Sequence, residues 1–136
     1  ARRQRQMCIR DRIIGIIISH GRFAFELANS VQKILGKSEF LFPFSNDDLT
    51  AEKLYLAIKE SIKKYNDSDC IAFIDLRGGS CWRVAKMLSK DYPKLKILCG
   101  VNIPMLISFL TKRESYIIDD LVQILNEDAH RGIVSE

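Results

Sequence analysis

Apolar residues fall along this chain in two alternating rhythms. Residues 13–19 form a short, continuous, β-branched run, the pattern of a strand buried on both faces as in a parallel sheet. Over residues 22–35 the apolar positions Phe23, Leu27, Val31 and Ile34/Leu35 recur every three to four residues, which predicts an amphipathic helix closed by Gly36. A second short strand is expected over residues 40–44, ending near Pro43, and Ser45-Asn46-Asp47-Asp48 supplies polar turn chemistry. The next helix, capped by Thr50 or Asp48, places Ala51, Leu54, Tyr55, Ile58, Ile62 and Tyr65 on one face. Residues 70–76 read as a third strand broken by Gly78-Gly79. Ser80 is positioned to cap a helix running to about residue 90, with Val84, Ala85, Met87 and Leu88 on its inner face. Residues 95–101 read as a fourth strand.

After the fourth strand, Asn102 suits a helix cap, Pro104 falls in the first turn, and Met105, Leu106, Phe109 and Leu110 form an apolar face. A last helix is expected over residues 116–129, and residues 132–135 could add a short edge strand. Strands alternating with helices at this spacing predict a three-layer α/β domain with an open, mostly parallel sheet, and the flavodoxin-like strand order 2-1-3-4 is the working arrangement.

Composition narrows the class. With 136 residues, 47% hydrophobic and 28% charged, and only three Pro and seven Gly, the chain fits one packed domain and excludes disordered and low-complexity classes. The longest apolar run, residues 13–18, falls far short of the ~20 residues of a membrane-spanning helix and of the ~7–15 residue apolar region of a signal peptide, so a cytoplasmic location is expected. The net charge of +4 invites a nucleic-acid reading until its location is considered. Five Arg against one Asp in residues 1–12 account for all of it, and acidic and basic residues balance over residues 13–136. A polybasic arm could contact phosphates or anionic lipid, but residues 1–12 are read as a disordered or non-native extension ahead of the domain at 13–136. No nucleic-acid partner is assigned. Cys8, Cys70, Cys81 and Cys99 lack the paired spacing of a zinc site and read as reduced thiols.

In open α/β sheets the ligand site lies beyond the carboxyl ends of the strands, where the winding direction reverses. With order 2-1-3-4 that point falls between strands one and three. Ser19-His20-Gly21-Arg22 leaves the first strand, and Asp75-Leu76-Arg77-Gly78-Gly79-Ser80 leaves the third. His20 and Asp75 thereby converge on one crevice. A neutral imidazole offers one ring nitrogen as a nucleophile, and a carboxylate on the other fixes the tautomer and supports the developing charge. The Gly78-Gly79-Ser80 turn opens a helix whose amides can hold phosphate oxygens, with a hydroxyl from Ser80 and the cations Arg22 and Arg77 nearby. Duller roles are available to each: a hydrogen-bonded structural histidine, an Asp75 that caps a turn, a Gly-Gly-Ser that is only a turn. His130, beside Asp128 and Arg131, reads as solvated, and Trp82 as a packing residue or a docking aromatic.

Three motifs in order carry a resemblance: Ile17-Ile18-Ser19-His20-Gly21, Ile74-Asp75 through Gly78-Gly79-Ser80, and Gly100-Val101-Asn102-Ile103-Pro104-Met105-Leu106. Together they resemble the mannose/fructose/sorbose-type enzyme IIA domain of the bacterial phosphoenolpyruvate-dependent sugar phosphotransferase system, over residue 13 to about residue 136. The resemblance implies that His20 is the phosphorylated residue and Asp75 its hydrogen-bond partner, with Gly78, Gly79 and Ser80 around the phosphate and no metal or organic cofactor. It implies a histidine-containing phosphocarrier protein as donor and a histidine of a sugar-specific IIB component as acceptor, with the membrane reached only through permease components. It also implies a homodimer that exchanges a terminal strand, here residues 132–135. Cys81-Trp82-Arg83 and Arg77 depart from the usual pattern where a partner would dock. A regulatory module read through its phosphorylation state and a carrier serving a dihydroxyacetone kinase remain as alternative readings.

Overall fold

The structure, a computed structural model, describes residues 12–136. The basic segment at residues 1–12 therefore lies, apart from Arg12, outside the described residues. Strands β1 (Ile14–Ser19), β2 (Leu41–Ser45), β3 (Cys70–Ile74) and β4 (Leu95–Cys99) alternate with helices α1 (Phe23–Leu35), α2 (Ala51–Ile62) and α3 (Ser80–Asp91). Helices α4 (Ile103–Lys112) and α5 (Ile118–Arg131) follow. The sheet has the order β2-β1-β3-β4, and every pairing in it is parallel.

The continuous apolar run of β1 is explained by burial on both sides. Ile17, with Ile71 and Phe73 of β3, faces a core built from α1, α4 and α5. Ile14, Ile16 and Ile18, with Ala72 and Ile74, face a second core built from α2 and α3. The chain moves from β1 to β2 in one direction and from β2 through β3 to β4 in the other. Crossovers of one hand then place α1 on one face and α2 and α3 on the opposite face. The loops leaving β1 and β3 are consequently pulled apart, which opens the crevice at the carboxyl end of the sheet.

One residue in β1 is small for a packing reason. A Cβ on Gly15 would lie 2.9 Å from Phe109 Cε2 and 3.0 Å from both Leu41 Cδ1 and Phe73 Cε2. The edge-to-face pair of Phe73 and Phe109, with ring centroids 5.2 Å apart, occupies that space.

Several local expectations change. The buried stripe of α1 runs through Ala24, Leu27 and Val31, while Phe23 and Ile34 are exposed at 45% and 57%. Counting from the large Phe23 instead of the small Ala24 turns the face by one position. Tyr65 lies in a 3-10 turn, Lys63–Tyr65, beyond the end of α2. Ser80 does not cap α3: Gly79 is the N-cap residue, in extended geometry, and Ser80 is the first helical residue. Thr50 and Asn102 do cap, accepting from the Lys53 and Met105 amides at 3.2 and 2.9 Å. Residues 133–136 leave α5 without regular structure and add no strand to the sheet among the described residues. Among the described residues no helix is long and apolar enough to cross a membrane.

Gly15→Ala should lower stability by about 1–3 kcal/mol, because the added methyl must displace the Phe73–Phe109 pair or bend β1. Urea denaturation followed by circular dichroism measures this, and a midpoint equal to that of the parent would refute the packing account.

Candidate functional site

The exit of β1 is a tight turn. Ser19 is fully buried and its Oγ accepts a 2.7 Å hydrogen bond from the Ala24 amide in the first turn of α1. That helix has no cap from its own N-cap residue, Arg22, so Ser19 satisfies one of the amides that every helix start leaves open. Between them Gly21 takes a φ of +59°, a conformation that disfavours any residue with a Cβ. The result is a loop in which His20 projects outward, its side chain 51% exposed.

Asp75 follows β3 directly and meets His20 across the crevice. Its Oδ2 accepts the His20 backbone N–H at 2.9 Å and lies 2.7 Å from the His20 ring Nδ1. One carboxylate oxygen thus holds both the backbone and the ring of the histidine. With Nδ1 donating its proton to this oxygen, Nε2 carries the free lone pair. Nε2 points towards the start of α3, 3.3 Å from Ser80 Oγ. Ser80 is held in turn by Asn46 Nδ2, which donates to its Oγ at 3.2 Å. Gly79 packs beside the ring: a Cβ there would stand 3.6 Å from His20 Cε1. Gly78 forms the preceding turn at φ +88°.

The structure therefore brings His20, Asp75, Gly79 and Ser80 together, with Gly78 shaping the approach. The first amides of α3, from Ser80 onward, have no partners within the helix and carry its positive dipole end. The Gly79 amide is directed to Leu76 O at 3.4 Å, closing the turn. Arg22 and Arg77 are both exposed; Arg22 pairs with Glu26 at 3.6 Å. His130 lies away from the crevice on α5, its Nδ1 2.8 Å from Asn126 O. Trp82 is half-buried against the α2/α3 core, with Lys86 Nζ 5.7 Å from its ring centroid.

Sequence reasoning left two neighbours unassigned. Asn46 reads locally as turn chemistry, yet β2 adjoins β1 and its exit loop must reach the same mouth. Cys81, at the second position of α3, has its Sγ 3.8 Å from His20 Nδ1. Burial, and next the charge of Asp75, pushes its thiol up to about 11.

A family model described as "PTS system fructose IIA component" matches residues 15–125. The chain belongs to this family. Among its relatives, the sorbose-specific EIIA component of Klebsiella pneumoniae is 22% identical over 120 residues, covering 88% of this chain and 89% of that one. The fructose-specific EIIA component of Bacillus subtilis is 28% identical over 119 residues, covering 83% and 80%. The crystal structure of a phosphotransferase system EIIA component from Streptococcus agalactiae superposes with a TM-score of 0.83 at 28% identity, covering 90% of this chain and 96% of that one. This protein is a sugar phosphotransferase system IIA component, and the crevice just described lies within the matched span of that IIA family.

Ser19→Ala in this IIA component leaves the Ala24 amide buried without an acceptor. It should cost about 1–3 kcal/mol and speed hydrogen exchange at Ala24. Unchanged exchange there, measured by NMR, would show that the amide does not depend on Ser19.

Proposed function

We propose that this IIA component is a cytoplasmic phosphocarrier whose His20 Nε2 accepts a phosphoryl group from the phosphohistidine of a histidine-containing carrier protein and passes it to a histidine of a sugar-specific IIB component. The observation that carries this reading is the double hold of Asp75 Oδ2 on His20, through the backbone N–H and through Nδ1. It leaves Nε2 as the exposed nucleophile in a fixed orientation, and orientation is the main contribution a protein makes to phosphoryl transfer.

In the step itself the Nε2 lone pair attacks phosphorus, the P–N bond of the donor breaks, and its electron pair returns to the donor imidazole. The Nδ1 proton stays shared with Asp75, whose negative charge offsets the positive charge developing on the ring. The incoming phosphoryl oxygens meet the dipole end of α3 and the Ser80 hydroxyl, which turns from Nε2 to the phosphate. At Gly79 a bare Cβ would make only ordinary contact with the ring edge, 3.6 Å from His20 Cε1, so a larger side chain is what would reach into that approach. The P–N bond already holds high transfer potential, so the chemistry needs no metal or organic cofactor.

Partners dock over the mouth of the crevice. Leu76 directly follows Asp75, Phe23 directly follows the His20 loop, and Leu49 lies in the loop after β2; they are 62%, 45% and 41% exposed. These apolar residues, rimmed by Arg22 and Arg77, suit a protein surface in place of a small polar substrate. We also propose a homodimer in which residues 132–135 pair with the sheet of the second copy. In support, β4 is an edge strand, while Ile133 and Val134 are 78% and 69% exposed. Ile133→Asp with Val134→Asp should shift the protein from dimer to monomer in sedimentation, and a parent already monomeric at micromolar concentration would refute the exchange.

Incubation with phosphoenolpyruvate, enzyme I and the carrier protein should add one acid-labile phosphate, mapped to His20 by mass spectrometry. His20→Ala should abolish it. Asp75→Asn should keep the fold and slow labelling by up to about a hundredfold, since the amide can hold the ring in the wrong tautomer. Label persisting in His20→Ala would overturn the assignment.

A further inference from the structure

We propose that His20, Asp75 and Cys81 form a site for a thiophilic divalent cation of the zinc or cadmium class, and that the bound ion switches off His20 as a phosphoryl acceptor. The second half rests on the function proposed above; the binding does not.

The donor atoms are already gathered. One ring nitrogen of His20, a carboxylate oxygen of Asp75 and the Sγ of Cys81 all lie within 4.8 Å of one another. The Nδ1-to-Sγ separation is 3.8 Å. Bonds of about 2.0–2.1 Å to nitrogen and about 2.3 Å to sulfur span such an edge at roughly 120°, and an approach of about 0.2–0.3 Å closes it to the tetrahedral angle. A separate observation points to a ligand. Asp75 Oδ1 is buried and has no hydrogen-bond partner, while Oδ2 carries both bonds to His20. The carboxylate that already meets the imidazole thus keeps a buried oxygen with free lone pairs, and Asp75 is a ready third donor. The half-exposed His20 ring leaves the outer side of the site open to water as a fourth ligand.

Cys81 is fully buried and belongs to no disulfide. Its thiol holds its proton because burial and the neighbouring Asp75 charge both oppose a second negative group there. A divalent cation reverses that balance and takes the proton's place on sulfur. The Nδ1 lone pair then goes to the metal, and the ring proton moves through solvent from Nδ1 to Nε2. One proton, that of the thiol, leaves per ion bound. Nε2 now carries a hydrogen and has no lone pair with which to attack phosphorus. Phosphoryl acceptance and metal binding are thereby mutually exclusive uses of one imidazole.

The test titrates the full chain with cadmium chloride and with zinc chloride. Cadmium should bind one per chain with an ultraviolet thiolate-to-cadmium charge-transfer band and release one proton. Cys81→Ser should lose that band and bind zinc at least about tenfold more weakly. His20→Ala, at an exposed position, should weaken zinc to a similar extent and keeps the test open should the Cys81 variant misfold. A charge-transfer band of equal strength in Cys81→Ser, or parental zinc affinity in both variants, would overturn the site. Transfer from pre-phosphorylated carrier protein should fall in proportion to zinc occupancy and return on addition of a zinc-selective chelator. Transfer at the zinc-free rate with the ion bound would overturn the switch. Binding as described with no transfer even in the zinc-free protein would overturn the phosphocarrier reading and leave the metal site standing.

Discussion

One carboxylate oxygen ties the two halves of the crevice together. Asp75 Oδ2, at the end of β3, accepts from the backbone and faces the ring nitrogen of His20, at the end of β1. The first bond fixes where the loop lies, and the second fixes how the ring turns. Because the histidine is half exposed, an interaction of this kind adds little to global stability. Its value lies in orientation, which removes rotational freedom from an exposed ring.

That bond is possible only because of what lies beneath it. β1 and β3 are adjacent and in register, with Ile18 opposite Ile74, so the residues that follow them leave the sheet at the same level. The reversal of winding between them sends α1 to one face and α3 to the other. Both strands are buried on both faces, which keeps the platform rigid where the loops above it are exposed. Gly15 belongs to this foundation as much as the aromatic pair that fills the space beside it.

The mouth combines a polar floor with an apolar rim. Asn46, Ser80 and the start of α3 provide donors around Nε2, and the exposed apolar residues Leu76, Phe23 and Leu49 lie in the loops and helix start that follow β3, β1 and β2. Membership of the phosphotransferase IIA family fits that architecture. The thiol of Cys81, set beneath the ring, gives this member a donor with different chemical preferences from those of its oxygen and nitrogen neighbours.

The alternation of β-branched runs with three-to-four-residue periodicity determined the order of elements and the expectation of a parallel sheet, because burial imposes those patterns locally; that His20 meets Asp75 followed from an assumed strand order and the family resemblance. Where a small residue held the buried position, as Ala24 does in α1, the same logic turned the helix face by one residue. Other features depend on groups distant in sequence. Ser19 became the acceptor for a helix it does not belong to, Gly79 displaced Ser80 as the cap, and Asn46 reached a site that its own turn does not announce. Residues 132–135 have strand-forming composition but join no strand of the sheet among the described residues. Hydrophobic periodicity reports which side of an element is covered and carries no record of what covers it. Only tertiary packing decides which side chains meet at the mouth of the sheet, since they come from residues up to 61 positions apart in sequence.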